Sequence, residues 1–333
     1  MKNFLVLIRP YGMLFLGFTP VFGAIANGEF DLFHLTLLLA IGILAHIFTF
    51  VQNDYYDIWV DSISRYVSNR TLVTGGISKK KAFLIFFSSL IISLLITIIF
   101  FFTIYSFSML LVSFLFMTFY NKYSKRFFAM EYILGAGVFT YGLFGALTVS
   151  NNVPFFVIIV SATGFLQWLF SVGISANLKD VEFDTKHGIR TTPTVFGVHM
   201  DGQKLLIPGS FWVYAFLVKI VHILIVSLPF ILGYTSIFIY SLPIPGFCFI
   251  ILSIVSLYLT MKILSTPISN RDKMLIYVGL QEGFALLLIP IALTSYIVEN
   301  AGILPIIFLI LLFILWPIFW FRILYGKKMI PLE

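Results

Sequence analysis

The chain contains ten long apolar segments, and these leave few folds open to it. A transmembrane helix needs about 20 largely apolar residues. Segments of roughly that length lie at about 11–28, 34–52, 82–102, 106–120, 132–149, 153–176, 207–232, 237–264, 275–298 and 302–325. Only 11% of the 333 residues are charged, whereas about a quarter are charged in a soluble domain. We therefore predict an all-α integral membrane protein with nine to ten spans.

Several other classes of protein are disfavoured by the same sequence. Arg9 and Pro10 interrupt the apolar run that begins at Phe4, so we expect no cleaved signal peptide and a mature chain that begins near Met1. The single cysteine, Cys248, excludes a disulfide framework and a cysteine-rich zinc site. The net charge of +7 lies in short loops between apolar segments, so it favours anionic headgroups or an anionic substrate and not nucleic acid.

The distribution of basic residues predicts the orientation. If Lys2 and Arg9 are cytoplasmic, ten spans place every Lys and Arg except Lys219 at the cytoplasmic side, as such residues prefer. Both termini should then be cytoplasmic, in a multi-pass protein of the cell membrane. The two long loops of that side, at about 53–81 and 177–206, contain most of the polar residues, so we look for function there.

The first long loop opens with three carboxylates. On a helix, Asp54, Asp57 and Asp61 are spaced i, i+3 and i+7 and share one face at the end of the second span. Like charges placed in this way repel unless something positive lies between them. Because all the ligand atoms would be oxygen, a hard divalent cation such as Mg²⁺, Mn²⁺ or Ca²⁺ is the natural counter-ion.

The second long loop repeats this spacing with Asn177, Asp180 and Asp184, while Glu182 points to the opposite face. The repetition after the second and sixth spans hints at two related four-helix halves. Solvated helix ends would explain acidic residues in general, but a helix C-terminus disfavours negative charge. Here two helix ends each carry several acidic residues on a single face. Two acidic clusters with Arg and Lys nearby are what a magnesium diphosphate requires, so Mg²⁺ bound by all five aspartates is our prediction, with Mn²⁺ able to substitute.

These residues resemble the motifs of the UbiA superfamily of intramembrane prenyltransferases. Asn53-Asp54-x-x-Asp57-x-x-x-Asp61 matches its NDxxDxxxD motif, and Asp180-x-x-x-Asp184 its second aspartate motif. Further similar stretches are Asn69-Arg70 with Gly75-Gly76-Ile77-Ser78, Tyr120 to Lys125, and Gly188-x-x-Thr191-x-Pro193. The resemblance covers roughly residues 5–300. Thr71 stands where the family usually has proline, Ser175 where many members have tyrosine, and 302–325 would be an additional span.

The resemblance implies a ring of helices around a central cavity, under a polar cytoplasmic cap and with a side opening to lipid. Residues 1–300 would form one domain that includes the cap loops 53–81 and 177–206. Residues 301–333 would add a C-terminal span and a short tail. The implied reaction is the Mg²⁺-dependent transfer of a polyprenyl group from an isoprenyl diphosphate to an aromatic or lipid-precursor acceptor, with release of pyrophosphate. The implied catalytic residues are the five aspartates.

Other polar residues near the two clusters are candidates for substrate binding. These are Asn53, Arg70, Tyr120, Lys125, Asn177 and Lys179, with Arg65 and Lys122 as further basic candidates. The basic residues could also serve orientation alone, and Tyr120 could anchor the chain at the interface. His46 either lines the cavity or packs.

Four polar residues fall within the later spans: Lys219, His222, Gln281 and Glu282. Charge inside a membrane is expensive enough to make each a functional candidate, although Lys219 could simply pair with Glu282.

Two other functions remain open at this point. A terpene cyclase of the same superfamily would form the same cation and quench it within the substrate. A secondary transporter would fit ten spans and internal repeats, but transporters usually bind near the bilayer midplane, whereas these carboxylates lie at its edge. The sequence does not identify the acceptor or the length of the prenyl chain.

Overall fold

A computed structural model describes residues 2–64, 66–202, 204–266 and 271–326. Arg65, which we considered as a basic candidate, and the end of the predicted tail at 327–333 lie outside the described residues. The described chain is mostly helical. In order, its elements are α1 (Lys2–Ile8), a 3₁₀ turn (Pro10–Gly12), α2 (Met13–Ala26), α3 (Leu32–Ile63), α4 (Lys79–Phe100), α5 (Ile104–Tyr123), α6 (Met130–Leu147), α7 (Phe155–Phe170), a π segment (Ser171–Ala176), α8 (Asn177–Lys179), α9 (Val181–Lys186), α10 (Thr192–Val195), β1 (His199–Asp201), β2 (Lys204–Leu206), α11 (Gly209–Ile231), α12 (Ile244–Ser265), α13 (Arg271–Ala292), α14 (Thr294–Ala301) and α15 (Ile303–Tyr325).

Ten helical stretches among the described residues are long and apolar enough to cross a membrane. This agrees with the number of spans predicted from the sequence. The first of them joins α1, the 3₁₀ turn and α2, and the last is α15. The second span is longer than expected, because α3 continues without a break as far as Ile63. The first motif therefore lies on the helix itself, and the segment that we placed in a loop at 53–81 is helical as far as Ile63 and again from Lys79.

The chain divides into two compact units. The first contains residues 1–122, 140–153 and 313–333, and the second contains 123–139 and 154–312.

Close approach of helices through glycine organises the first unit. A side-chain carbon at Gly42 of α3 would overlap the backbone of Gly17 in α2, and one at Gly145 of α6 would overlap the backbone at Pro20. Small residues of this kind let helices pack tightly where lipid supplies no hydrophobic drive. Near the first motif, the Asn121 amide at the end of α5 donates to the Thr49 carbonyl and to Gln52 Oε1, both at 2.9 Å, and so holds α5 against α3.

The second unit has an apolar core between α7, α11, α12 and α13. Its most buried side chains include Phe170, Ile174, Phe211, Ile263 and Met274. The segment 177–206, which we expected as a loop, contains three short helices and an antiparallel hairpin in which Met200 pairs with Leu205.

Candidate active site

The first acidic cluster consists of Asp54, Asp57 and Asp61, in the first unit. Because α3 continues through the motif, the i, i+3, i+7 spacing places all three on one face. That face is buried: the aspartates are only 4–6% exposed. Three carboxylates this close together, and away from water, require positive charge beside them.

Two arginines supply that charge. Arg70 Nη1 lies 2.8 Å from Asp61 Oδ2 and 3.2 Å from Asp54 Oδ1, so one guanidinium joins two residues of the cluster. Arg9 Nη2 lies 2.8 Å from Asp54 Oδ1, with its guanidinium over the Phe50 ring. From the sequence we expected a metal ion to supply the positive charge and considered Arg70 a candidate for substrate binding; in the structure Arg70 bridges two aspartates.

Arg9 is a site residue that the sequence analysis missed. Arg9 has a left-handed backbone conformation (φ 48°) and lies between the end of α1 at Ile8 and the 3₁₀ turn that begins at Pro10. An arginine inside an apolar run was an available signal, because charge within a span is rarely placed without a function. We had used Arg9 only to argue against a signal peptide and to orient the chain.

Asn53 and Tyr120 are partly buried near this end of the first unit. Asn53 precedes Asp54 on α3, and Tyr120 lies beside Asn121, whose amide holds α5 against α3. His46 has a packing role. Its Nε2 is 3.1 Å from the Ile8 carbonyl, and its ring stacks on Phe50 with 4.2 Å between the centroids.

The second acidic cluster consists of Asp180 and Asp184, in the second unit. We expected one continuous helix through Asn177, Asp180 and Asp184, but the helix is interrupted at Asp180, which ends α8 and begins α9. The Asp184 N–H still donates to the Asp180 carbonyl at 2.9 Å, so the two side chains remain one turn apart. The interruption follows the π segment, a kind of helical irregularity that is frequent at functional sites.

Cations surround Asp180. Arg271, at the start of α13, places Nη2 3.1 Å from Asp180 Oδ1 and donates from Nη1 to the Lys179 carbonyl at 2.5 Å. Lys179 Nζ lies 3.8 Å from Asp180 Oδ2. Partial burial would raise the pKa of Asp180, but Lys179, Arg271 and Lys125 outweigh it, and the net pKa lies below its usual value. Sequence spacing gave no signal for Arg271, which is 91 residues from Asp180.

Asp184 has a different environment. It is 1% exposed, and Thr191 Oγ1 donates to its Oδ2 at 3.3 Å. Burial, together with the negative charge of Asp180, raises the pKa of Asp184 to about 6, although Lys125 and the Thr191 hydrogen bond act in the opposite direction. The two aspartates of one motif therefore differ in pKa: the pKa of Asp180 is lowered, and that of Asp184 is raised to about 6.

A turn after the second cluster brings Thr191 back to Asp184. Gly188 adopts φ +67°, a conformation that favours glycine, and the Ile189 N–H donates to the Asp184 carbonyl at 2.9 Å. The next residue along, Thr192, hydrogen-bonds the buried carboxylate of Glu131 at the start of α6. This explains the Gly188-x-x-Thr191-x-Pro193 pattern structurally, since it folds the chain back onto the motif.

The donor atoms suit Mg²⁺. Both clusters offer only oxygen ligands, which hard cations prefer. Among the described residues, no group of three or more acidic, histidine or cysteine side chains is already arranged to hold a metal ion. Mg²⁺ is commonly bound by one or two carboxylates together with substrate phosphate oxygens, and each cluster can supply that number.

Comparison with known proteins places this geometry in context. A sequence model described as the UbiA prenyltransferase family matches residues 14–262. A search of curated proteins found no match.

Solved structures share the fold. A structure of digeranylgeranylglyceryl phosphate synthase is 22% identical, with a TM-score of 0.59 over 90% of this chain and 98% of its own. A UbiA homologue from Aeropyrum pernix K1 is 15% identical, with a TM-score of 0.63 over 86% and 97%. A UbiA homologue from Archaeoglobus fulgidus, bound to DMAPP and Mg²⁺, is 20% identical, with a TM-score of 0.58 over 87% and 99%.

Proposed function

The chain belongs to the UbiA prenyltransferase family and is a membrane-embedded prenyltransferase, and from that premise we propose that it transfers a polyprenyl group from an isoprenyl diphosphate to an aromatic or lipid-precursor acceptor with the help of Mg²⁺. Two acidic clusters, the first buried and the second partly buried, each joined to basic side chains, are the observation that carries the proposal. Supporting it, the Archaeoglobus fulgidus homologue has been solved with DMAPP and with GPP, each together with Mg²⁺.

The reaction begins with ionisation of the donor. The allylic C–O bond breaks, and its electron pair leaves with pyrophosphate. An acceptor atom then bonds to the allylic carbon and loses a proton. The aspartates of each cluster would hold Mg²⁺, which would supply positive charge for the leaving pyrophosphate.

The residues of the first cluster have distinct parts in this proposal. Asp54, Asp57 and Asp61 present the oxygen ligands. Arg70 fixes the separation of Asp54 and Asp61 by bonding both, and Arg9 bonds the same Asp54 oxygen as Arg70. Preorganised charge of this kind does not have to rearrange while the bond breaks, which is why it lowers the barrier. Asn53 and Tyr120 are proposed to contact substrate at this end.

In the second cluster, Asp180 and Asp184 act as ligands, and Lys125 and Lys179 supply positive charge for the phosphates. Asn177 is proposed to add a neutral polar contact. Arg271 is a positioning residue, because it ties the start of α13 both to Asp180 and to the Lys179 carbonyl. We further propose that this end of the protein and both termini are cytoplasmic, since that orientation agrees with the distribution of Lys and Arg.

Purified protein tests the proposal directly. Incubation with radiolabelled prenyl diphosphates of several lengths and a panel of acceptors, in Mg²⁺, should yield a prenylated acceptor and pyrophosphate. EDTA should abolish both products, and Mn²⁺ should restore them. Full turnover in metal-free buffer would contradict the mechanism. A cyclic hydrocarbon formed without any acceptor would instead identify a terpene cyclase.

A further inference from the structure

The last span of the protein contacts the segment that carries Arg9. Trp316 of α15 places its Nε1 2.7 Å from the Pro10 carbonyl oxygen, and Phe321 stacks on Tyr11 with 4.5 Å between the ring centroids. We call residues 8–12 the Arg9 turn. The Arg9 turn and residues 313–333 belong to the first compact unit, which also contains the first acidic cluster. The proposed reaction itself assigns no role to α15.

Arg9 needs support from its surroundings because of its backbone conformation. Its φ of 48° and ψ of 62° are left-handed. A residue other than glycine keeps such a conformation only where neighbouring contacts hold it there. Pro10 adds to the constraint, since a proline disfavours the helical region for the residue before it and has no N–H of its own. The position of the Arg9 guanidinium, 2.8 Å from Asp54 Oδ1, therefore depends on the contacts that hold the Arg9 turn.

Two side-chain donors bind the carbonyl groups on either side of Arg9. His46 Nε2 lies 3.1 Å from the Ile8 carbonyl oxygen, so this nitrogen is the donor. The indole N–H of Trp316 donates to the Pro10 carbonyl at 2.7 Å. His46 belongs to α3, the helix of the first acidic cluster, whereas Trp316 belongs to α15. Contacts from two different spans thus hold the peptide groups that flank Arg9.

The contacts of Asp54 show why the position of Arg9 matters. Arg9 Nη2 and Arg70 Nη1 both lie close to Oδ1 of Asp54, at 2.8 Å and 3.2 Å. Arg70 also bonds Asp61 at 2.8 Å, so it has a second carboxylate that does not depend on the Arg9 turn. Charge-assisted contacts of this length weaken as the two atoms separate. A shift of the Arg9 turn therefore changes the positive charge at the Asp54 oxygen.

The hydrogen bond of Trp316 can be removed while an aromatic ring is kept. Trp316→Phe deletes the indole N–H and retains a ring at the same position. The Pro10 carbonyl still accepts the Met13 N–H, so the substitution does not leave this oxygen unsatisfied. Trp320, one turn later on α15, supplies a matched control. Its Nε1 donates no hydrogen bond within the part of the chain that the structure describes, so Trp320→Phe removes a ring of the same kind without removing a bond.

We propose that Trp316 is a positioning residue for the first acidic cluster, in that its indole N–H holds the Arg9 turn and so keeps Arg9 on Asp54. This inference rests on the proposed function, in which Arg9 and Asp54 take part. Arg9 and Trp316 both lie outside residues 14–262, so the match to the family model assigns a role to neither. Through this hydrogen bond the last span takes part in the active site, although it carries none of the proposed ligands.

The rate of Mg²⁺-dependent pyrophosphate release from a prenyl diphosphate tests the proposal. Trp316→Phe removes one hydrogen bond and should be slower by about fivefold, whereas Arg9→Gln removes a charge-assisted contact and should be slower by about thirtyfold. Trp320→Phe should stay within about twofold of the wild type. In an Arg9→Gln background Trp316→Phe should cause no further loss, whereas in an Arg70→Gln background its full loss should remain. An equal loss from Trp316→Phe in the Arg9→Gln background and in the wild type, or no loss at all, would overturn the proposal.

A measurement with Mg²⁺ alone, without any diphosphate, separates this inference from the proposed function. It records how far the thermal unfolding temperature in detergent rises when Mg²⁺ replaces EDTA. The rise should be larger in Arg9→Gln than in the wild type, because Asp54 loses a competing cation, and Trp316→Phe should lie between the two. A packing defect alone would lower the unfolding temperature in EDTA and leave this rise unchanged. An equal rise in the wild type and in Trp316→Phe would overturn the inference, whereas absence of pyrophosphate release from the wild type counts against the proposed function.

Discussion

Removing the guanidinium of Arg70 should destabilise the first acidic cluster and increase its response to Mg²⁺. Arg70 forms contacts of 2.8 Å to Asp61 and 3.2 Å to Asp54, and its side chain is 15% exposed. Breaking a buried ion pair from one side costs about 3–5 kcal/mol, because a buried charge is left behind. Asp54 keeps Arg9 as a partner, so the loss falls mainly on Asp61. We therefore expect Arg70→Gln to lower the free energy of unfolding by about 3 kcal/mol.

The assay is denaturant unfolding of the purified protein in detergent, first in EDTA and then in Mg²⁺. Arg126→Gln is the matched control, because Arg126 is an exposed arginine, and such substitutions usually change stability by less than about 0.5 kcal/mol. Mg²⁺ should stabilise Arg70→Gln more than wild type, since the buried carboxylates that lose Arg70 gain a counter-ion. A loss in EDTA no larger than that of Arg126→Gln would refute the argument that Arg70 compensates these carboxylates.

Two further predictions concern pH and topology. Because the pKa of Asp184 is raised to about 6, its proton competes with Mg²⁺ as the pH falls through that value, and the Mg²⁺ affinity measured by isothermal titration calorimetry should fall there. Asp184→Asn should lose this pH dependence. A wild-type affinity that does not change with pH would contradict the prediction. In a Cys248→Ala background, cysteines at Tyr66 and Met200 should be labelled from the cytoplasmic side and a cysteine at Asn151 from the other, and labelling of 66 and 151 from one side would contradict the ten-span topology.

Local periodicity explains what the sequence could reveal. The apolar segments define the spans because each helix must satisfy its backbone groups within itself when it is in lipid. The face shared by Asp54, Asp57 and Asp61 is likewise a local property of one helix, and α3 is long enough to include all three residues. Both features depend on residues that lie within a few helical turns of one another along the chain, so the sequence alone is enough to predict them.

The partners of the aspartates were harder to predict, because they come from distant parts of the chain. Arg9 reaches Asp54 across 45 residues, and Arg271 reaches Asp180 across 91. The apolar run around Arg9 marks that arginine as unusual but does not show that its partner is Asp54, and no local pattern distinguishes Arg271 from the other basic residues of the loops. The interruption of the helix at Asp180 was also missed, because it follows a π segment whose apolar and small residues look like any continuing span.

The rate of pyrophosphate release in three variants tests the central claim most directly. Asp57→Asn and Asp180→Asn keep the size of the side chain and remove one ligand charge from each cluster, while Glu182→Gln does the same away from them. If both clusters stabilise the leaving group, each of the first two should lose on the order of a hundredfold in rate, or about 3 kcal/mol, with unfolding in detergent as the check that the protein remains folded. Glu182→Gln should retain much of its activity. Wild-type turnover by Asp180→Asn together with an inactive Glu182→Gln would contradict the assignment of the second cluster.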